Sequence, residues 1–151
     1  MLQADFYLMA RHEARFHVRV EVLSVKPVEH TPGPMPLEAR VVEVYRTDGT
    51  LKVGDRVTFA EYVTRAGDEI PDGGIRWKGH DEVMSARYLE AFLNGEPPAC
   101  EVALSQSVVL SASTGGAQLQ GWFPVVAVRQ RALRACAEPP ASRRRWWRFW
   151  E

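Results

Sequence analysis

Cysteine is scarce, with only Cys100 and Cys136 in 151 residues. They lack CxxC spacing and are too few for a disulfide framework, so two buried thiols in a reducing compartment are expected. Long apolar runs are missing as well. Asp5, Arg11, His12 and Glu13 interrupt the amino-terminal stretch, and no signal peptide or transmembrane helix is readable there. The cytoplasm is the expected compartment. Lysine is rare, at three residues against sixteen arginines, a bias that reflects composition before it reflects function. A net charge of one sign is absent too, since 19 bases balance 19 acids. The molecule as a whole therefore has no electrostatic preference for nucleic acid or membrane.

Several catalytic signatures are also lacking. There is no GxSxG, GxGxxG or P-loop motif. His12-Glu13 opens like the HExxH metalloprotease motif, but Phe16 stands where the second histidine ligand is needed. Neither cysteine has a histidine close in sequence to activate it as a nucleophile. No catalytic residue, metal or cofactor is expected.

What the chain does have is the size and composition of one globular domain, 46% hydrophobic and 25% charged, enough to bury a single core. Its zero net charge hides an asymmetry. Residues 54–101 hold ten acids against five bases, and residues 129–151 hold seven arginines against Glu138 and Glu151.

Residues 6–9 form a short apolar run that reads as a strand. Phe16, Val18, Val20 and Val22 then alternate with His17, Arg19 and Glu21. That period of two places four apolar side chains on one sheet face, where a helix would scatter them. Residues 26–36 contain Pro27, Pro32, Gly33, Pro34 and Pro36 and read as a loop. Residues 37–46 read as the next strand. Asp48-Gly49 and residues 51–55 then lead into residues 56–63 as a hairpin with a long connection. Residues 64–80 are a long Gly-rich loop with Ile75 and Trp77 as anchors. Residues 81–95 admit two readings. One is a helix capped by Asp81 and ended by Asn94-Gly95; the other is a strand over 87–93 turning at Asn94-Gly95. Residues 101–112 and 123–128 read as strands, and residues 130–137 as a short helix.

The segments F-H-V-R-V-E-V-L-S-V (16–25), A-R-V-V-E-V-Y-R (39–46), L-K-V-G-D-R-V-T-F (51–59) and R-Y-L-E-A-F-L (87–93) follow a familiar order. Together they resemble netrin-like and tissue-inhibitor-of-metalloproteinase-like domains, which are OB-type barrels. The resemblance implies an all-β, OB-like barrel of five to seven strands over residues 1–137, with residues 87–93 as strand. It also implies that Gly54 takes a backbone conformation other residues avoid. It does not carry protease inhibition, which in that family depends on an amino-terminal cysteine where this chain reads Met1-Leu2-Gln3.

Two places hold candidate function. His80-Asp81-Glu82, with Asp72 nearby, is the one cluster a flexible loop could fold around a metal or use for acid–base work; the alternative is a charged exposed loop. Residues 138–151 form a Pro-led tail. There Arg143, Arg144, Arg145, Trp146, Trp147, Arg148, Phe149 and Trp150 interleave four arginines with four aromatics. Three readings of the tail stay open: docking on the barrel, contact with an anionic membrane surface, or recognition of a protein or nucleic acid. The leading expectation is a non-catalytic binding module with a protein partner. Single-stranded nucleic-acid binding by an OB-type face is the alternative, and a hydrolase using the His80 loop comes third. The face bearing Arg15, His17 and Arg19 discriminates between the first two. A continuous basic groove there favours nucleic acid, and a mixed patch favours protein.

Overall fold

The computed structural model describes residues 4–110. The strand and helix expected over 123–137 and the whole basic, aromatic tail lie outside those residues. Within them run α1 (Ala4–Glu13), β1 (Phe16–Val25), β2 (Gly33–Arg46), β3 (Arg56–Thr64), β4 (Lys78–Gly79), α2 (His80–Met84), β5 (Tyr88–Glu96) and β6 (Ala99–Leu110).

The strands are ordered β2-β1-β5-β6-β3-β4, and β2 also pairs with β3. That extra pairing closes β1, β2, β3, β6 and β5 into a ring. All the ring's pairings are antiparallel except β3 with β6. A five-strand closed barrel with one parallel seam and a helix before the fourth barrel strand is an OB-like barrel. Closure removes the free edges that an open five-strand sheet would present.

Alternation in β1 works as the sequence implies. Phe16, Val18 and Val20 are fully buried inside the barrel, and Val22 packs against the same core. Opposite them stand Met35, Leu37, Ala39 and Val41 of β2, and Val57, Phe59 and Val63 of β3. Register shifts between β1 and β2 fall at His17/Val18, Arg19/Val20 and Val22/Ser24. Such irregularities bend and coil a long strand, as closing a small barrel requires.

The 47–55 connection is built from side-chain turns. Asp48 Oδ1 accepts from Thr50 N at 3.0 Å, Asp55 Oδ2 accepts from Lys52 N at 2.8 Å, and Leu51 is driven fully into the core. Gly54 has φ +95° and open space where a Cβ would stand. Its requirement is therefore conformational, as the resemblance implies.

Several expectations are corrected. Residues 6–9 belong to α1, not to a strand. Asp5 sits in the first turn and Arg11 and His12 in the last, an arrangement that complements the helix dipole. The loop expected over 26–36 ends early, because β2 begins at Gly33. Lys26 N donates to Pro36 O at 2.9 Å, so the polar edge of Pro36 faces β1. Pro34 has the same parity. Neither missing N–H breaks a β2–β3 bond. Over residues 81–95 the strand reading holds and the helix reading does not: α2 stops at Met84, and Tyr88, Ala91 and Phe92 lie in β5. Gly79, not Asp81, occupies the N-cap, and Asp81 lies in the first turn. β5 also runs through Asn94-Gly95 to Glu96.

Candidate functional site

The first half of β1, residues 16–20, is buried on both faces. His17 and Arg19 point outward from the barrel, yet they are only 3% and 2% exposed. Helix α1 packs alongside, against Phe92 of β5 and against β6. Ala10 packs with Ala14, Phe92 and Ala103, and the Arg11 guanidinium lies 5.9 Å from the Phe92 ring centre. Gln106 Nε2 donates to Tyr7 O at 2.8 Å.

Around these two side chains lies a layer of paired polar groups. His17 Nε2 is 2.7 Å from Glu90 Oε1, and its ring stacks on Phe92 at 4.2 Å. Arg19 Nη1 is 3.3 Å from Glu43 Oε2, and the Tyr45 hydroxyl donates to the same oxygen at 2.9 Å. Burial, with that bond to Glu43, pushes the Tyr45 phenol up to about 12. The folded chain thus keeps the Tyr45 proton over a range where an unfolded chain, with an ordinary tyrosine near 10, has lost it. The unfolded state binds fewer protons there, so this residue's contribution to stability falls as pH rises from about 10 to about 12. In an ultraviolet titration at 295 nm, one of the four tyrosines is expected to ionise late. Tyr45→Phe is expected to remove that late step and leave the earlier ones. If every tyrosine of the native protein titrates near 10, Tyr45 is not held in this way.

Two further ion pairs lie on the outer face. Arg40 Nη2 lies 2.5 Å from Glu21 Oε2, and Arg56 Nη1 lies 3.1 Å from Glu38 Oε1. Arg15 clamps two turns together. Its Nε pairs with Asp48, its Nη1 reaches Glu96 Oε1 at 2.5 Å and Gly95 O at 2.8 Å, and its backbone N donates to Asn94 Oδ1. Hydrogen bonds from Thr50, joined by Arg15, hold Asp48 down to about 2. The face bearing Arg15, His17 and Arg19 is therefore a mixed patch, with an acid opposite each base.

A second polar group lies on the barrel's inner side. Glu61 follows Val57 and Phe59 on the inward face of β3 and is fully buried. Lys78 Nζ of β4 approaches Glu61 Oε2 at 2.7 Å, and the Ser107 hydroxyl donates to Oε1 at 2.5 Å. Lys78 Nζ also donates to Ser105 O at 2.9 Å. That carbonyl is available because Leu104 and Ser105 both take left-handed conformations, φ 48° and 53°, which uncoil β6 locally. β3 and β6 share only the bridge Thr58↔Ala99. Beyond it, side chains stitch the seam where backbone pairing stops. The hydroxyl donates to a carboxylate already neutralised by an ammonium, and all three side chains are buried. The set has the chemistry of a lock and not of an activated nucleophile.

The His80 cluster does not gather metal ligands. His80 Nδ1 meets Asp81 Oδ1 at 2.9 Å, while Nε2 lies 3.0 Å from Arg65 Nη2, a cation where a metal would stand. No group of three His, Cys, Asp or Glu that could hold a metal ion occurs among the described residues. His12 lies in α1 and His17 in β1. Cys100 is a buried free thiol whose pKa is pushed up by burial, the reverse of nucleophile activation. Arg143, Arg144, Arg145, Trp146, Trp147, Arg148, Phe149 and Trp150 lie outside the described residues, as does Cys136.

Sequence reasoning missed the Glu61–Lys78–Ser107 lock. The signal for Glu61 was present, because R-V-T-F-A-E-Y-V-T places it in the apolar row of its strand. Lys78 carried no such signal, being brought to Glu61 only by the return of a long loop.

Fold and face together define an OB-like barrel with a charge-paired outer surface. No family model, curated protein or solved structure matches the chain. No helix among the described residues is long and apolar enough to cross a membrane.

Proposed function

We propose that this chain is a non-catalytic binding module whose partner is a protein. The pairing of charge across the outer face is the observation that carries this reading. Glu21–Arg40, Glu38–Arg56, Arg19–Glu43 and Arg15 with Asp48 and Glu96 occupy bases that a nucleic-acid groove would need for phosphates. The balance of the barrel points the same way, since residues 4–110 hold 17 acids and 12 bases. A patch of alternating sign suits a protein surface, where complementary charge sets register and rejects wrong partners. The tail supplies the adhesive composition, because tryptophan and arginine are the residues most enriched where binding energy concentrates.

The test compares the full chain with one ending at Ala141. Partners are captured at physiological salt, and fluorescence anisotropy is run in parallel with labelled single-stranded DNA and RNA and with anionic vesicles. The full chain is expected to retain a saturable protein partner that the shortened chain loses at unchanged melting temperature. Affinity for oligonucleotides is expected to stay within the non-specific range of about 10⁻⁴–10⁻⁶ M. Tight, salt-steep binding to single strands would favour the nucleic-acid alternative. Loss of vesicle binding alone would make the tail a membrane anchor, and loss of stability would make it part of the domain.

A further inference from the structure

We propose that the last turn of α1 and the irregular stretch of β6 form a binding site for an oxyanion, with Arg11 and Arg46 as its charged walls and Arg76 at its rim. Four arginines among the described residues are not exposed: Arg11, Arg15, Arg19 and Arg46. Arg15 has Asp48 and Glu96, and Arg19 has Glu43. Arg11 and Arg46 make no ion pair with any described carboxylate. Their Nε atoms are buried and have no hydrogen-bond partner, although desolvated guanidinium groups ordinarily find acceptors.

The three arginines come from three elements that meet around the end of α1. Arg46, at the end of β2, donates through Nη2 to Arg11 O, which ties its head group to the end of α1. Arg11 lies over Phe92 of β5. Tyr7 and Arg11 are one turn apart on the same helix face, and Tyr7 O is held by Gln106 of β6. Gln106 is 1% exposed and its Oε1 has no partner. Arg76 joins from the loop, where its backbone N donates to Leu104 O beside Gln106. It is the main like charge acting on Arg11, whose guanidinium is held below its ordinary range first by burial and then by Arg76, against the pull of Glu90.

Part of this has a simpler reading. Arg46 complements the partial negative charge at the end of α1. That accounts for one arginine and leaves Arg11 with an aromatic ring, a like-charged neighbour and an empty donor. A carboxylate or phosphate group would supply the acceptors and offset the repulsion, and a guanidinium fork is matched in shape to either. The oxyanion could be a free small ligand or an acidic side chain of a partner. The site itself does not depend on the protein-partner reading.

The experiment titrates citrate, inorganic phosphate and an acetylated hexaglutamate peptide into the full chain at constant ionic strength. Arginine Nε–Hε signals are followed by NMR and the melting temperature alongside, with sodium chloride as the control. Saturable shifts of the Arg11 and Arg46 signals are expected, with a raised melting temperature that chloride does not reproduce. A preference for peptide would assign the source to a partner side chain, and a preference for citrate or phosphate to a free ligand. Arg11→Gln is expected to abolish the shifts. Should that variant not fold, Arg76→Gln, at an exposed loop residue, is expected to weaken binding about tenfold. Shifts that do not saturate, that chloride reproduces, or that survive both substitutions would overturn the site.

Discussion

Val20→Asp is expected to unfold the domain. Val20 is fully buried between Val41 of β2 and Leu89 of β5, its register partners on either side. An aspartate there loses the transfer free energy of the valine, about 1.5–3 kcal/mol. It also leaves a carboxylate in an apolar wall, and breaking charge compensation in a protein interior costs about 3–5 kcal/mol. Together these approach the whole stability of a small domain, about 5–15 kcal/mol. Circular dichroism and thermal melting of purified Val20→Asp provide the check, with Arg40→Gln on the exposed outer face of β2 as the control. A native melting temperature for Val20→Asp would mean that Val20 does not face the core.

The inward facing of β1 was legible because period two is a local signal and one face of the strand is apolar throughout. The barrel closure was legible only through the order of segments in the resemblance, since strand pairing is a long-range property that alternation does not encode. The start of β2 was hidden by Pro34 and Pro36. Both read as loop residues until it is known that their missing donors point past the end of β1. Helix α1 was hidden by brevity, because four apolar residues in a row show neither a period of two nor of 3.6. The outward direction of His17 and Arg19 was legible from the alternation, and their burial was not. His17 and Arg19 do point away from the barrel, but Phe92 and Tyr45 lie against them, and that cover is a tertiary fact. The mixed character of the face was half legible. The acids and bases are visible in the sequence, while the pairings Glu38–Arg56 and Arg15–Glu96 depend on register.

Lys78→Met is the second large effect expected, and it tests what fills the seam between β3 and β6. Lys78 supplies the cation that neutralises the fully buried Glu61, at 2.7 Å, and also satisfies Ser105 O. Methionine preserves much of the side chain's length and volume but removes the charge. Glu61 would keep only the Ser107 hydroxyl, and a buried carboxylate stripped of its counter-ion costs about 3–5 kcal/mol. The pair itself is not thereby a large net stabiliser, because bringing both ions out of water carries its own penalty. The double variant Glu61→Met with Lys78→Met separates the two statements. With no charge left at the seam, it is expected to regain most of the stability lost in Lys78→Met, short of the hydrogen bonds to Ser107 and Ser105 O. The measurement is chemical denaturation of the wild-type chain, the single variant and the double variant at one pH, read as midpoints with the slopes compared. A double variant as unstable as Lys78→Met would show that the lysine stem, and not charge compensation, holds β4 to the barrel. A single variant as stable as the native chain would mean that water or another group reaches Glu61, and that the seam is not sealed by this lock.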